Sequence, residues 1–437
     1  MKKKLIAMTI LCSLVLSSCS ASTEETNNDI ESTSEESTVV ETIAAVETAE
    51  SVETTEPEET EFVPYVHGDE GYFNLYDEGY GSQVRLQVAG TCWVNAVSTS
   101  METSYLMRTG ESITIEPVDL VYAVYNEDKP EGWFAPNANL EYGGWTWEIV
   151  ETLSNGWDSY IITDASMYEQ DLDIETIQNG IRENGAMAVS INDTHGILYI
   201  KLFEDYFTFN APANIAENFD HEVTIVGWDD NFPREYFAYE ASQDGAWLCQ
   251  NSLGSNWGNH GFYWVSYDMP FAEYAIVQIS DEYDHVTAYD WGNEASISTG
   301  DETTIANVFH DSGTLRAVGT YTADLNTSVH IEIRDVNMEN VLCEQDAFFA
   351  INGYHTVVLD TPIDVNNYSI VITFDAQAPV EGESFEIDTI EYFEATVNPG
   401  ESYVLIDGEW VDMSSDNISE LLGIDFIPNN CCIKAIF

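Results

Sequence analysis

The spacing of apolar residues changes character once along the chain, near His285, and that change limits the folds open to it. Before it, two periods alternate. Trp93, Val94, Ala96, Val97, Met101, Tyr105 and Leu106 recur every three or four positions up to Gly110, which predicts a helix. Residues 172–200, with Ile177, Ile181, Ala186, Ala188, Val189 and Ile191, read as a helix leading into a strand, and Val223-Thr224-Ile225-Val226-Gly227-Trp228 reads as a buried strand. After it, helical runs vanish. Short runs of period two recur instead: His330-Ile331-Glu332-Ile333-Arg334, Tyr354-His355-Thr356-Val357-Val358-Leu359, Tyr368-Ser369-Ile370-Val371-Ile372-Thr373-Phe374 and Cys432-Ile433-Lys434-Ala435-Ile436. Turns such as Asn352-Gly353 and Asp407-Gly408 separate them, and the pattern reads as an antiparallel β-sandwich. The expectation is an α+β chain with two folded domains, residues 63–283 and 284–437.

Ahead of these domains lie two segments of other kinds. Residues 1–18 carry three lysines, an apolar run over 5–16 and small residues before Cys19, the plan of a secretory signal. Leu16-Ser17-Ser18-Cys19 looks like a bacterial lipobox, which implies lipidation of Cys19 and attachment to the outer face of the membrane. The plainer alternative is an ordinary signal peptide that contains a cysteine. The apolar run is too short to span a bilayer comfortably, so the expected attachment is an anchor. Residues 19–62 are rich in Ser, Thr, Glu and Ala and contain no Lys or Arg. Low hydrophobicity with like charge predicts an extended tether. An inhibitory pro-segment, the rival reading, would need a foldable pattern that this stretch does not have.

Charge narrows the partners. The net charge is −66, with only 12 Lys and Arg against 78 Asp and Glu. Nucleic-acid binding is excluded, because phosphates require basic patches. An acidic surface fits a soluble, extracellular protein, and it also favours basic substrates. Of seven cysteines, Cys12 leaves with the signal and Cys19 would be lipidated. The remaining five, Cys92, Cys249, Cys343, Cys431 and Cys432, are an odd number, which points to a free thiol, with Cys92 the candidate. Cys431 and Cys432 read as buried strand residues. No cysteine or histidine spacing suits zinc, and no metal or cofactor is expected.

Chemistry concentrates in three blocks. Gln87-Val88-Ala89-Gly90-Thr91-Cys92-Trp93 places Cys92 at a helix N-terminus, where free N–H groups favour a thiolate. By itself this is weak, since a cysteine beside a tryptophan is often a core residue. Phe219-Asp220-His221-Glu222-Val223 follows, then Gln250-Asn251-Ser252-Leu253-Gly254-Ser255-Asn256-Trp257-Gly258. His221 lies 129 positions after Cys92 (221 − 92) and Asn251 lies 159 after it (251 − 92). The three blocks in this order resemble the papain family of cysteine peptidases, especially its bacterial surface members.

The resemblance implies a two-lobed domain, one lobe helical and one β-rich, hydrolysing peptide bonds. It implies Cys92 as nucleophile, His221 as its acid–base partner, Asn251 as the group that orients the imidazole, and Gln87 as a donor to the oxyanion. Gly143 and Gly144, in Leu140-Glu141-Tyr142-Gly143-Gly144-Trp145, would offer backbone hydrogen bonds to an extended peptide; a turn needing positive φ is the alternative. Asp220 and Trp257 complete the implied substrate-binding set. The region after residue 284, with Ala306-Asn307-Val308-Phe309 early and Cys432-Ile433-Lys434-Ala435 at the end, looks like the lectin-like domain that follows the peptidase in some bacterial relatives. A glycan is the ligand its name implies, and a packing or substrate-positioning role is the alternative. The expected partners are thus a peptide or protein substrate, the membrane through Cys19 and a glycan; the chain is expected to be a monomer.

Four departures from the family pattern stand out. Gln87 precedes Cys92 by five positions where six are usual; Leu253 replaces the first Trp of the Asn-Ser-Trp-Gly run; Asn95 stands where an aromatic is common; and Ala89 occupies the place of the family's half-cystine. Two other readings follow from them: a surface adhesin with a weak site, and a thiol amidase or transpeptidase acting on cell-wall peptides.

Overall fold

The computed structural model describes residues 65–68, 70–126, 128–135, 140–141, 143–157, 159–168, 172–192, 200–203, 205–212, 219–386 and 392–437. The signal, Cys19 and the tether lie outside these residues. Helix α1, Cys92–Thr109, is the predicted one, closed by Gly110 in the left-handed region (φ 75°). Every residue from Cys92 to Tyr105 is buried, so α1 is a central pillar with no solvent face. Its polar residues are small and satisfied. Ser98 donates to the Val94 carbonyl at 2.7 Å, while the hydroxyls of Ser100 and Thr103 accept the N–H groups of Val277 (3.0 Å) and Ala186 (2.9 Å). Helices α2, Pro117–Val124, and α3, Thr146–Leu153, pack on one side of the pillar. On the other lies an antiparallel sheet in which the strand His221–Asp229 sits between Met187–Ile191 and Ala246–Gln250. Helix α4, Ile174–Asn184, leads into Met187–Ile191 as expected.

One buried ion pair fixes the approach to α1. Arg85 bonds Glu102 of α1 and the Ile115 carbonyl (3.1 Å), and Glu102 also accepts the Ile115 N–H at 2.7 Å. The segment carrying Gln87 is thereby clamped to the pillar before it turns into Cys92.

Two parts of the sequence reading need correction in the C-terminal half. The runs around 354–359 and 368–374 are not separate short strands. They belong to a single strand, Gly353–Phe374, paired along its length with another long one, Thr303–Thr322. Register shifts at Phe309/Ser312 and Leu315/Ala317 bend this hairpin, so its two ends pair with different strands. Residues 303–309 and 368–374 pair with Ser402–Ile406 and Thr327–Asp335 respectively. Residues 317–322 and 353–358 lie instead beside Ile433–Ile436 and the peptidase-half strand Ile161–Tyr168. Between the two layers lies a core of Ile305, Phe309, Val318, Ile331, Ile370, Ile372 and Ile433. Helix is also not wholly absent after His285, because Ile418–Leu422 forms one short turn.

The two halves therefore share backbone hydrogen bonds. Gly353–His355 pairs with Asp164–Ser166, and Gly132–Phe134 pairs with Tyr392–Glu394. Carboxyls are buried where the halves meet. Asp290 pairs with Lys434 (Oδ2–Nζ 2.7 Å), both side chains fully buried. Around them lie Glu151 of α3, which accepts from Trp133 Nε1 at 2.8 Å, Glu381, which accepts from the Trp291 N–H at 2.8 Å, and Glu294, which accepts from the Gly382 N–H at 3.1 Å. Asp290 Oδ1 and Glu294 Oε1 have no hydrogen-bond partner. Burial raises the carboxyls of Glu151 and Glu381 well above the usual range, and burial together with Asp290 raises Glu294 to about 7.

A carboxyl raised in the folded state stabilises the fold while protonated. That contribution is complete below the ordinary value of 4.5 and is lost as pH rises through about 7. The thermal midpoint should accordingly fall between about pH 5 and 8, with Glu294 alone accounting for ~3 kcal/mol. Glu294→Gln should flatten that dependence in a calorimetric pH series; an unchanged slope would show that this carboxyl does not titrate there.

Candidate active site

The loop entering α1 is tightly determined. The Gly90 N–H donates to the Leu140 carbonyl at 2.8 Å, and a Cβ at Gly90 would lie 2.9 Å from the Glu141 carbonyl oxygen. Ala89 adopts φ 55°, a left-handed conformation that costs a non-glycine residue about 1–2 kcal/mol. Thr91 compensates by donating its hydroxyl to the Val88 carbonyl (2.9 Å) and accepting the Val88 N–H (3.2 Å). Asn95 donates its amide to the Thr91 carbonyl at 2.6 Å. The polar residue in the first turn of α1 thus braces the nucleophile loop.

Cys92 is 8% exposed at the start of α1. Burial alone would push its thiol up, but hydrogen bonding and charge from His221, with the N–H groups of Glu222 and Trp93, hold it below the ordinary value. His221 begins the strand His221–Asp229, and its Nε2 lies 3.0 Å from Asn251 Oδ1. Nδ1 is then the ring nitrogen that faces the sulfur. Asn251 follows the strand Ala246–Gln250, is 1% exposed, and donates its N–H to the Gly261 carbonyl at 2.9 Å. The structure brings all three residues together.

Gln87 lies beside them. Its N–H donates to the Ser252 carbonyl (2.7 Å), its Oε1 accepts from the Ser252 hydroxyl (2.6 Å), and its Nε2 donates to the Ala89 carbonyl (2.7 Å). The second Nε2 hydrogen is not used by these bonds. Gly143 (φ 80°) and Gly144 run past Gly90 and Trp93, where a Cβ at Gly144 would sit 2.6 Å from the Trp93 ring. Only glycine allows that approach. Glu148 of α3 fixes the segment by accepting the Trp145 N–H (3.0 Å) and the Tyr125 hydroxyl (2.8 Å). Asp220 is half-buried immediately before His221, its N–H donating to the Ile191 carbonyl at 3.2 Å. Trp257 is half-buried against Tyr263 (ring centroids 5.1 Å apart) and Phe207 (6.2 Å). Leu253 is 37% exposed, and its backbone forms an isolated bridge with Leu86.

Glu222, whose N–H bonds the Cys92 sulfur, escaped the sequence reading, as did its side-chain neighbour Thr146. Glu222 is 5% exposed and accepts from the Thr146 hydroxyl at 3.2 Å. A charged residue inside the apolar run after His221 was the available signal. Elsewhere, His330, Glu332 and Glu344 bring potential ligand atoms within 4.8 Å of one another, but Arg334 already pairs with Glu332 at 2.6 Å and Asp346 with His330 at 2.7 Å. All five cysteines of the described residues are free, and none of the helices there is long and apolar enough to cross a membrane.

Comparison with known proteins agrees with this geometry. Residues 150–279 match the profile of the papain family cysteine protease, and residues 287–437 match that of the lectin like domain. The chain is a papain-family peptidase domain followed by a lectin-like domain. The first match includes His221 and Asn251, while Cys92 lies ahead of it. Cathepsin K of Gallus gallus is 25% identical over 213 residues, 44% of this chain and 57% of that protein. Procathepsin L of Mus musculus is 24% identical over 191 residues, 41% and 54% of the two chains, so this chain spans about half the length of such relatives. Two solved structures share the fold across both domains. The clostridial cysteine protease Cwp84 after propeptide cleavage superposes with TM-score 0.68 at 20% identity, covering 84% of this chain and 98% of that one. The protease and lectin-like domains of Cwp84, a surface layer associated protein of Clostridium difficile, give 0.68 at 19%, covering 84% and 89%.

Against the papain-family pattern, the shortened Gln87 loop closes through the left-handed Ala89, and Thr91 with Asn95 braces a loop that has Ala89 in place of a half-cystine. Because His221 lowers the Cys92 thiol while burial raises it, alkylation of Cys92 by iodoacetamide should persist to lower pH than for a free thiol. In His221→Ala the profile should move above that of a free thiol, since burial remains; a profile unchanged by the substitution would remove His221 from contact with the sulfur.

Proposed function

We propose that the chain is an extracellular, lipid-anchored cysteine endopeptidase that cleaves peptide bonds through Cys92, His221 and Asn251. One observation carries this reading. A buried thiol at a helix N-terminus is held below its ordinary value by an imidazole whose other nitrogen contacts Asn251 at 3.0 Å. The thiolate attacks the substrate carbonyl carbon, forming a C–S bond and a tetrahedral oxyanion. The His221 imidazolium then protonates the amine as the C–N bond breaks. Water, deprotonated by the neutral imidazole, releases the acyl group and restores the thiol. Asn251 keeps the ring in line through both steps.

The oxyanion is received by the Cys92 N–H and by the second Nε2 hydrogen of Gln87. Gly143 and Gly144 provide the edge along which an extended peptide pairs, with Asp220 and Trp257 at the borders of the site. Anchoring through Cys19 is supported by the lipobox, and a surface location by the surface-layer association of Cwp84. The lectin-like domain supports a glycan ligand on the same surface.

Labelling of residues 65–437 with an epoxysuccinyl thiol probe tests the reading. Cys92 should be modified, and the label should be lost in both Cys92→Ala and His221→Ala. Gln87→Ala should lower kcat on a peptide substrate by roughly 10²–10³-fold while leaving labelling intact. If Cys92 reacts no faster than an ordinary thiol and His221→Ala changes nothing, the peptidase reading fails.

A further inference from the structure

The two donors that receive the oxyanion hang from one bend in the chain. Residues 88–91 separate Gln87 from Cys92, and side chains hold the bend. Thr91 donates its hydroxyl to the Val88 carbonyl (2.9 Å) and accepts the Val88 N–H (3.2 Å), with Ala89 at φ 55° between them. The carbonyl of Ala89 takes one Nε2 hydrogen of Gln87 at 2.7 Å, so the course of the bend fixes where the other hydrogen points. At the far end, the Cys92 N–H follows Thr91 directly. A shift in the bend therefore moves both donors.

Asn95 grips this bend from inside the helix. Its Nδ2 donates to the Thr91 carbonyl at 2.6 Å and reaches the Thr91 hydroxyl oxygen at 3.3 Å, alongside the bond from its own N–H to the same carbonyl (3.2 Å). Together with the two Val88 bonds, this engages the single hydrogen and both lone pairs of the Thr91 hydroxyl, which leaves it one orientation. Asn95 is 5% exposed and Thr91 1%, so bulk water does not compete for these bonds. Asn95 also lines a polar cavity of about 10 Å³, the room of one water, with Thr99, Gln250 and Asn251. It thus borders both the block that carries the nucleophile and the block that orients His221. Hiding an amide forfeits its hydration, a cost that a leucine of similar size would not carry. What the amide supplies in return is position.

We propose that Asn95 is a positioning residue for the oxyanion hole: by fixing Thr91 it sets the bend on which the Gln87 amide and the Cys92 N–H are aligned. This rests on the peptidase reading of Cys92 and deepens it by adding a residue that acts on the transition state through Thr91.

Hydrolysis of an N-acylglycine p-nitrophenyl ester, counted per mole of Cys92 titrated by an epoxysuccinyl probe, tests it. Asn95→Leu keeps the volume and removes the donor; it should lower kcat by roughly 10- to 100-fold and change KM by less than about threefold. The pH profile of Cys92 alkylation should stay that of the wild type, because His221 and the N–H groups of Glu222 and Trp93 hold the thiol. In a Gln87→Ala background the same substitution should cost only about threefold, since one of the donors it aligns is already gone. Asn95→Ser should restore most of the rate, as a serine here can bond the carbonyl of Thr91 in the way that Ser98 bonds that of Val94 at 2.7 Å. Thr91→Val, which removes the hydroxyl instead, should reproduce the kcat loss and keeps the test open if Asn95→Leu fails to fold. Full kcat in these variants, or a loss of equal size with and without Gln87, would overturn the proposal. A labelled enzyme indifferent to Asn95 loses the brace alone, whereas an unlabelled wild-type Cys92 loses the peptidase reading and the brace with it.

Discussion

The structure depends on burying all but the last turn of a helix. A helix with no solvent face needs small side chains on every side and a bond for each hydroxyl it hides. Helix α1 meets both demands through small residues: the hydroxyls of Ser98 and Thr99 donate to carbonyls of the helix itself, and those of Ser100 and Thr103 accept N–H groups of the neighbouring backbone. The larger side chains, Trp93, Met101 and Tyr105, fill the opposite lobe. A pillar fixed from all sides holds its first residue with equal precision. Cys92 inherits its position from packing that extends along the helix, and the Arg85–Glu102 pair carries that rigidity back into the segment bearing Gln87.

How far the sequence could be read follows from the range of the forces involved. Helix α1, its stop at Gly110 and the strand His221–Asp229 are written in local periodicity, and the three blocks contain Cys92, His221 and Asn251, which lie beside one another. The alternative of a turn needing positive φ fits Gly143 (φ 80°), while the close approach of Gly144 to Trp93 was not legible. What escaped was non-local. The bend in the long hairpin depends on register slips at Phe309 and Leu315, which leave the period of the runs on either side intact. The strand Ile161–Tyr168 has partners more than a hundred residues away on both edges. Glu273 carries no sign of the bulge at the start of the strand Ala272–Ser280, and Asn95 read as a departure before its bond to Thr91 gave it a purpose.

The acidic character of the chain takes two structural forms. Most carboxylates are solvated and set only the overall charge of −66. A minority are buried in groups: Glu222 with Glu273 beside the nucleophile, and Glu151, Asp290, Glu294 and Glu381 around Lys434. Burying like charges together is unfavourable unless protons or a cation accompany them. In the second group Lys434 is a built-in basic partner, paired with Asp290.

The strand pairing between the halves bears on how the chain would come apart. Gly353–His355 and Tyr392–Glu394 are hydrogen-bonded to strands of the peptidase domain, while the covalent link runs separately through residues 280–302. Cutting that link would not free the C-terminal half, because its backbone is already woven into the neighbouring sheet. A nicked molecule would migrate as two fragments under denaturing conditions and as one particle otherwise. The lectin-like half is thus less a tethered module than an extension of the enzyme's own sheet.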